Sequence, residues 1–171
     1  MISETIPLGK MELKELLIKN WMSHDGFWFY HCLQKLGIEQ TNALNRAAIQ
    51  SLAAVEVPRI ARALGLKSQI ATFDEFKAIF PKIFSVAKGN FMEFEYTFTA
   101  DDSMKWEMHR CFAYEGMKRM GVIDQYRCGV IYRILCWLAV LKLKYSVNPA
   151  VENCLRVEGG SCSGEIRFFF K

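Results

Sequence analysis

Six cysteines, three histidines and one arginine set among apolar neighbours are the residues of this chain whose chemistry could carry a function. Cys111, Cys128, Cys154 and Cys162 fall at or near the ends of predicted elements in the C-terminal half, where side chains can converge. Four thiolates, or thiolates with His109, would make a zinc site. Yet the sequence holds no C-x2-C pair, and spacings of 17, 26 and 8 residues match no standard finger or ribbon. Buried, inert thiols are the commoner state of cysteine, so no metal ligand is assigned. Cys136 lies inside an apolar helix and reads as core.

A nucleophilic thiol needs a base or a positive field beside it. Cys111 closes a predicted strand and opens a helix, whose dipole would lower its pKa. His109, two residues earlier, and Glu107 are the candidate bases. Against this reading, no glycine-rich elbow and no third member of a triad is visible. His24 sits beside an expected helix cap. His31 and Cys32 are neighbours on a helix, about 100° apart, and so form no dyad.

Arg133 stands in a helix that otherwise reads Val130, Ile131, Ile134, Leu135, Trp137 and Leu138. A buried guanidinium requires an anion. Either an internal carboxylate meets it, with Glu115, Glu93 and Glu95 as candidates, or it holds the acidic group of a ligand, which its planar fork would suit.

The elements that would position these residues follow from periodicity. Leu13, Leu16, Leu17 and Trp21 mark a helix over 10–22. Ser23 or Asp25 would cap a second helix, Gly26–Leu36, stopped by Gly37. A third runs from Glu39 to Leu64 with Pro58 as a kink, and Gly65 ends it. Thr72-Phe-Asp-Glu75 has the form of a capping box for a fourth, reaching Pro81 or Ala87. The period then switches to two. Met92, Phe94, Tyr96 and Phe98 alternate with polar residues, Asp101 and Asp102 mark a turn, and Ser103–Arg110 alternates again. A short helix follows to Met120, then a buried central helix over 124–141. Strands at Val151–Val157 and Glu165–Phe170 close the sequence, joined through Gly159-Gly160 and Gly164. The expected fold class is α+β, a single domain over 1–171: mostly helical from 10 to 88, mixed from 91 to 171, with a small antiparallel sheet.

Composition narrows the function classes. Half of the 171 residues are hydrophobic, with 13 Phe, 6 Tyr and 4 Trp, which describes a packed globule. The net charge of +4 is spread along the chain, so no concentrated basic surface for nucleic acid is expected. Met1–Lys10 lacks the pattern of a cleavable leader. The longest apolar run, Gly129–Leu141, is interrupted by Arg133 and falls short of the ~20 residues a bilayer requires. A cytoplasmic protein with reduced thiols and no membrane partner is therefore expected. The run Phe27-Trp28-Phe29-Tyr30 cannot face one way, so part of it must line a cavity, an interface or the surface. A homodimer is one expectation from it.

Asp25-Gly-Phe-Trp-Phe29, then Leu36-Gly37 and a long helix closing in Ala63-Leu-Gly-Leu66, resembles the opening of a family of short, uncharacterised bacterial and archaeal proteins. Cys111 through Gly121 to Cys128, a buried helix and Gly159-Gly160-Ser-Cys162 before an aromatic strand are similar to its second half. That half also resembles the L-2-amino-thiazoline-4-carboxylate hydrolase-like proteins. The resemblance implies an α+β fold with a central helix against an antiparallel sheet, akin to ligand-binding domains of the four-vinyl-reductase type.

Three functional expectations result. The first is a small-molecule-binding domain with its site between the central helix and the sheet: Arg133 holds an acidic ligand, Cys128 and Cys162 brace the site, and Trp106 and Tyr132 form its wall. The second is a hydrolase of a small cyclic C–N bond using Cys111, His109 and Glu107. The third is a structural or oligomerisation module. No cofactor is assigned.

Overall fold

The computed structural model of the chain describes residues 7–67, 69–99 and 102–170; Asp101 of the expected turn, and Met1–Ile6 of the stretch read for a leader, lie outside them. The first helix, α1, runs from Lys10 to Ala63, and Glu12 accepts the Gly9 N–H at its start (2.8 Å). The boundary expected at Ser23–Asp25 does not form. These polar side chains are exposed, so water satisfies them and the apolar positions on either side continue one helix. Gly37 does interrupt it, with φ 74° and ψ 172°, backbone that is essentially restricted to glycine. Pro58 sits within the helix without ending it.

Helix α2, Phe73–Ala87, starts where the capping box predicts: the Thr72 hydroxyl accepts the Glu75 N–H at 3.2 Å. It presents Phe76, Phe80 and Phe84 to the sheet. Strand β1 (Glu93–Thr99) answers with Phe94, Tyr96 and Phe98, ring centroids 5.0–5.8 Å from their helix partners. Strand β2 (Ser103–Arg110) pairs antiparallel with β1 and turns Met104, Trp106 and Met108 inward. Lys105, Glu107 and His109 therefore face outward, as the two-residue period requires. Helix α3, Phe112–Arg119, follows at once and ends at Gly121, φ 73°.

The second half departs from expectation at two places. The helix expected over 124–141 is divided: a 3-10 turn covers Ile123–Gln125, and helix α4 covers Val130–Val140. Between them Arg127 bridges to Asn153 and the Cys128 N–H donates to the Glu152 carbonyl (3.0 Å), which holds the segment extended. The strand expected at Val151–Val157 is instead helix α5, Leu155–Gly159, capped by Gly160 at φ 75°. The strand itself, β3, is Tyr145–Asn148. Its four residues alternate too, but Pro149 ends the pattern before it reaches readable length. In Val151–Val157 the buried residues are Val151, Cys154 and Leu155, so burial does not follow the alternation of Val151, Leu155 and Val157.

Strand β4, Ser163–Phe168, lies between β2 and β3, so the sheet order is β1-β2-β4-β3, antiparallel throughout. One core joins the inner face of the sheet to α2, α4 and the second half of α1. A smaller cluster gathers Phe29, Ala113, Met117 and Tyr126. Phe27, Trp28 and Phe169 stay exposed, at 66%, 65% and 51%. No helix among the described residues is long and apolar enough to cross a membrane.

Candidate functional site

Arg133 projects from α4 toward α1, and its partner is Glu56, a residue the sequence reading did not consider. The guanidinium meets the carboxylate with two groups: Nε donates to Oε2 at 3.0 Å, and an Nη donates to Oε1. Trp137 Nε1 donates to the same Oε2 at 2.9 Å. Trp21 and Trp137 cover the guanidinium, with ring centroids 4.7 and 5.3 Å away. Glu115, Glu93 and Glu95 play no part. The cation is thus satisfied inside the fold, and the fork expected to hold an acidic ligand is already filled.

Beside this clip is a cavity of about 300 Å³. Helix α1 supplies Trp21, Met22, Asp25, Asn45, Ile49 and Leu52 on one side. Met92, Phe94, Met108, Tyr126, Ile134 and Trp137 close the other. Ligand sites typically start near this volume, roughly twice the ~150 Å³ that accepts benzene. The wall is chiefly apolar. Polar groups enter at few points: Asp25, Asn45, Lys88 and the Arg133 edge. Asp25 stands at the rim with its side chain accessible to solvent. Neighbouring packing still pushes its carboxyl above the ordinary range, and the Arg133 charge pulls in the opposite direction. Asn42, one turn before Asn45, fixes the wall: its side chain donates to the Gln125 carbonyl (2.8 Å) and accepts the Arg127 N–H (3.2 Å).

The cysteines meet elsewhere. Cys111, Cys128, Cys154 and Cys162 all line one small void of about 20 Å³, with Arg156 and Tyr114. Met108, Ala113, Tyr126 and Val130 belong to both linings, so they partition it from the large cavity. All four are free thiols. The dipole reading for Cys111 is overturned: burial outweighs the Tyr114 and Ala113 amides and raises its pKa. Burial likewise pushes Cys128 up to about 11 and Cys162 up to about 12.

The hydrolase residues are not assembled. His109 lies on the outer face of the sheet, 3.6 Å from Glu107 and 3.8 Å from Glu95, while Cys111 turns into the void. Of the five expected binding residues, only Arg133 lines the large cavity. Trp106 is core, packed against Gly164, and its Nε1 has no partner among the described residues. Tyr132 stacks under Arg46 at 4.1 Å. Asp25 and Trp21 were missed because both sit on a stretch read as a helix boundary. Their 21–25 spacing, once the helix is continuous, puts them on one face.

A model of a family of unknown function (DUF6125) matches residues 8–136, well over half of the chain. The chain belongs to that family. The DUF6125 match runs from α1 into α4, so it contains the lining of the large cavity except Trp137 and ends before Cys154 and Cys162. No curated protein matches the chain, and neither does any solved structure.

Proposed function

We propose that this DUF6125 protein is a small-molecule-binding domain whose ligand occupies the cavity between α1, α4 and the sheet. The observation that supports it most is the preformed, chiefly apolar cavity with few polar groups in its lining. Because Glu56 already satisfies Arg133, an incoming carboxylate would have to displace it, and separating a buried pair costs about 3–5 kcal/mol. The reading therefore moves from an acidic ligand to a neutral, largely aromatic one with a hydroxyl or amine aimed at Asp25. The likeness to cyclic C–N hydrolases gains no support from the placement of His109 and Glu107 away from Cys111.

Thermal unfolding with 1-naphthol and 1-naphthoate as probes tests this. The expected result is a rise in Tm with the naphthol alone, lost in Ile49→Trp or Leu52→Trp variants that fill the cavity. A rise that survives both variants would sink the proposal, as would no response to naphthol or any other neutral bicyclic.

A second reading, self-association through the first half of α1, draws on the exposed Leu17, Phe27 and Trp28 at 58%, 66% and 65%. Light scattering decides it: a concentration-independent monomer would remove it.

A further inference from the structure

Helix α1 is two helical arms joined at Gly37, where φ 74° and ψ 172° break the helical path. Trp21 and Glu56 are 35 residues apart, about 50 Å along a straight helix, yet both meet the Arg133 guanidinium. The chain therefore doubles back at Gly37, and residues 10–36 lie alongside residues 38–63. The two arms do not share the packing equally. Of the buried residues of α1, Phe29 alone precedes Gly37, while Thr41, Asn42, Ala53, Val57, Ile60 and Ala61 follow it. Among the described residues, the main core contains none before Ile49. We propose that residues 10–36 are a hinged lid that opens about Gly37 to admit a ligand to the large cavity.

The first arm forms the side on which the cavity meets water. It contributes Trp21, Met22 and Asp25 to the lining, and Trp21 and Asp25 are also exposed to solvent. The remaining walls belong to the second arm, α4 and the sheet side of the domain. Displacing the first arm thus uncovers the cavity while the main core stays packed. A ligand inside touches Trp21, Met22 and Asp25 and so holds the lid closed. The gating role rests on the reading of this cavity as a ligand site; the hinged opening does not.

The attachments of the first arm are graded along its length. Phe29, about 12 Å from Gly37 along the helix, meets the edge of Tyr126 at 5.8 Å and anchors the arm near its pivot. Trp21, about 24 Å from the pivot, lies on the Arg133 guanidinium at 4.7 Å and acts as the latch. Farther out, Lys14 donates to the Ser85 carbonyl, and Glu15 accepts the Asn90 N–H at 2.9 Å. Both bonds are exposed, so water replaces them at little cost. Nothing crowds the pivot itself: a Cβ placed on Gly37 would meet no other group within 4 Å.

Hydrogen exchange of the full chain, read by mass spectrometry with and without 1-naphthol, tests the lid. Helices draw most of their stability from packing, so the amides of a detached arm exchange at each opening. In the free protein, residues 10–36 should exchange as one unit, about tenfold or more faster than residues 38–63. Trp21→Ala, in the cavity wall, should speed exchange of 10–36 by about tenfold. Glu15→Ala, outside that wall, should speed it by about threefold, and both variants should leave 38–63 unchanged. Bound 1-naphthol should slow exchange in 10–36. Exchange of the two arms in step in the free protein overturns the lid, as does a rise in Tm with naphthol and no slowing in 10–36. A first arm that opens as a unit while naphthol gives no rise in Tm supports the hinge and overturns the cavity reading instead.

Discussion

Replacing Glu56 by Gln removes the anion that Arg133 faces while keeping the shape of the side chain. Losing one partner of a buried pair costs about 3–5 kcal/mol, because the surviving charge remains desolvated. Here each side chain keeps 13% of its exposure, and the guanidinium retains its two tryptophan faces. The amide oxygen can still accept from both Trp137 and Arg133 Nε, as Oε2 of Glu56 does, while the second acceptor is lost. These reductions bring the expected loss to roughly 2–4 kcal/mol, measured by urea unfolding at an unchanged m-value. Glu56→Leu combined with Arg133→Met removes both charges and should recover most of that loss, since an apolar replacement of a buried pair is often neutral. The same Glu56→Gln protein, with its fork freed, should now respond to 1-naphthoate. A loss below about 1 kcal/mol, or a double variant as weak as the single one, would refute the view of the pair as a buried clip.

Other outcomes follow from single features. Gly37→Ala places a side chain at φ 74°, ψ 172° and should cost about 1–3 kcal/mol in urea unfolding. Thr72→Ala deletes the α2 cap and should cost about 1 kcal/mol by the same measurement. In the reduced protein, burial pushes Cys128 up to about 11 and Cys162 up to about 12, against an ordinary 9.0. Above pH 9 the unfolded chain releases protons that the folded chain keeps, so stability is full below that pH and falls as pH rises toward 11. A Tm that stays flat from pH 8 to about 10.5 would contradict this. Cys111, also raised by burial, should react with iodoacetamide at pH 7 more slowly than free cysteine, and equal rates would show that it is not held as the structure describes.

Periodicity recovered the elements that carry one strong local signal. The Thr72 cap, the hairpin strands and the break at Gly37 are each written in a few adjacent residues, and each formed. The failures share a physical cause. At Ser23–Asp25, capping residues lie on a solvent face, where their side chains do not compete with the helix. At 124–141, the start of α4 is set by Arg127 and Cys128 binding a segment more than twenty residues away. The site shows the same division. That Arg133 needs an anion follows from its neighbours in sequence; that Glu56 provides it depends on how α1 lies along α4. The four cysteines could be grouped by position near element ends, but their common void exists only after β4 is seated beside β2.

The place of β4 in the sheet bears on how the protein is made. Its residues, Ser163–Phe168, follow the other three strands in sequence among the described residues, yet it lies inside the sheet with β2 on one side and β3 on the other. During synthesis the β1–β2 hairpin can form from neighbouring residues, whereas β2 and β3 expose unpaired edges until β4 emerges. The sheet therefore cannot close until residues 163–168 have been made. A ribosome-stalled or prematurely terminated product that lacks this strand carries two adhesive edges and an uncovered aromatic cluster, making it a substrate for quality control rather than a shortened version of the domain.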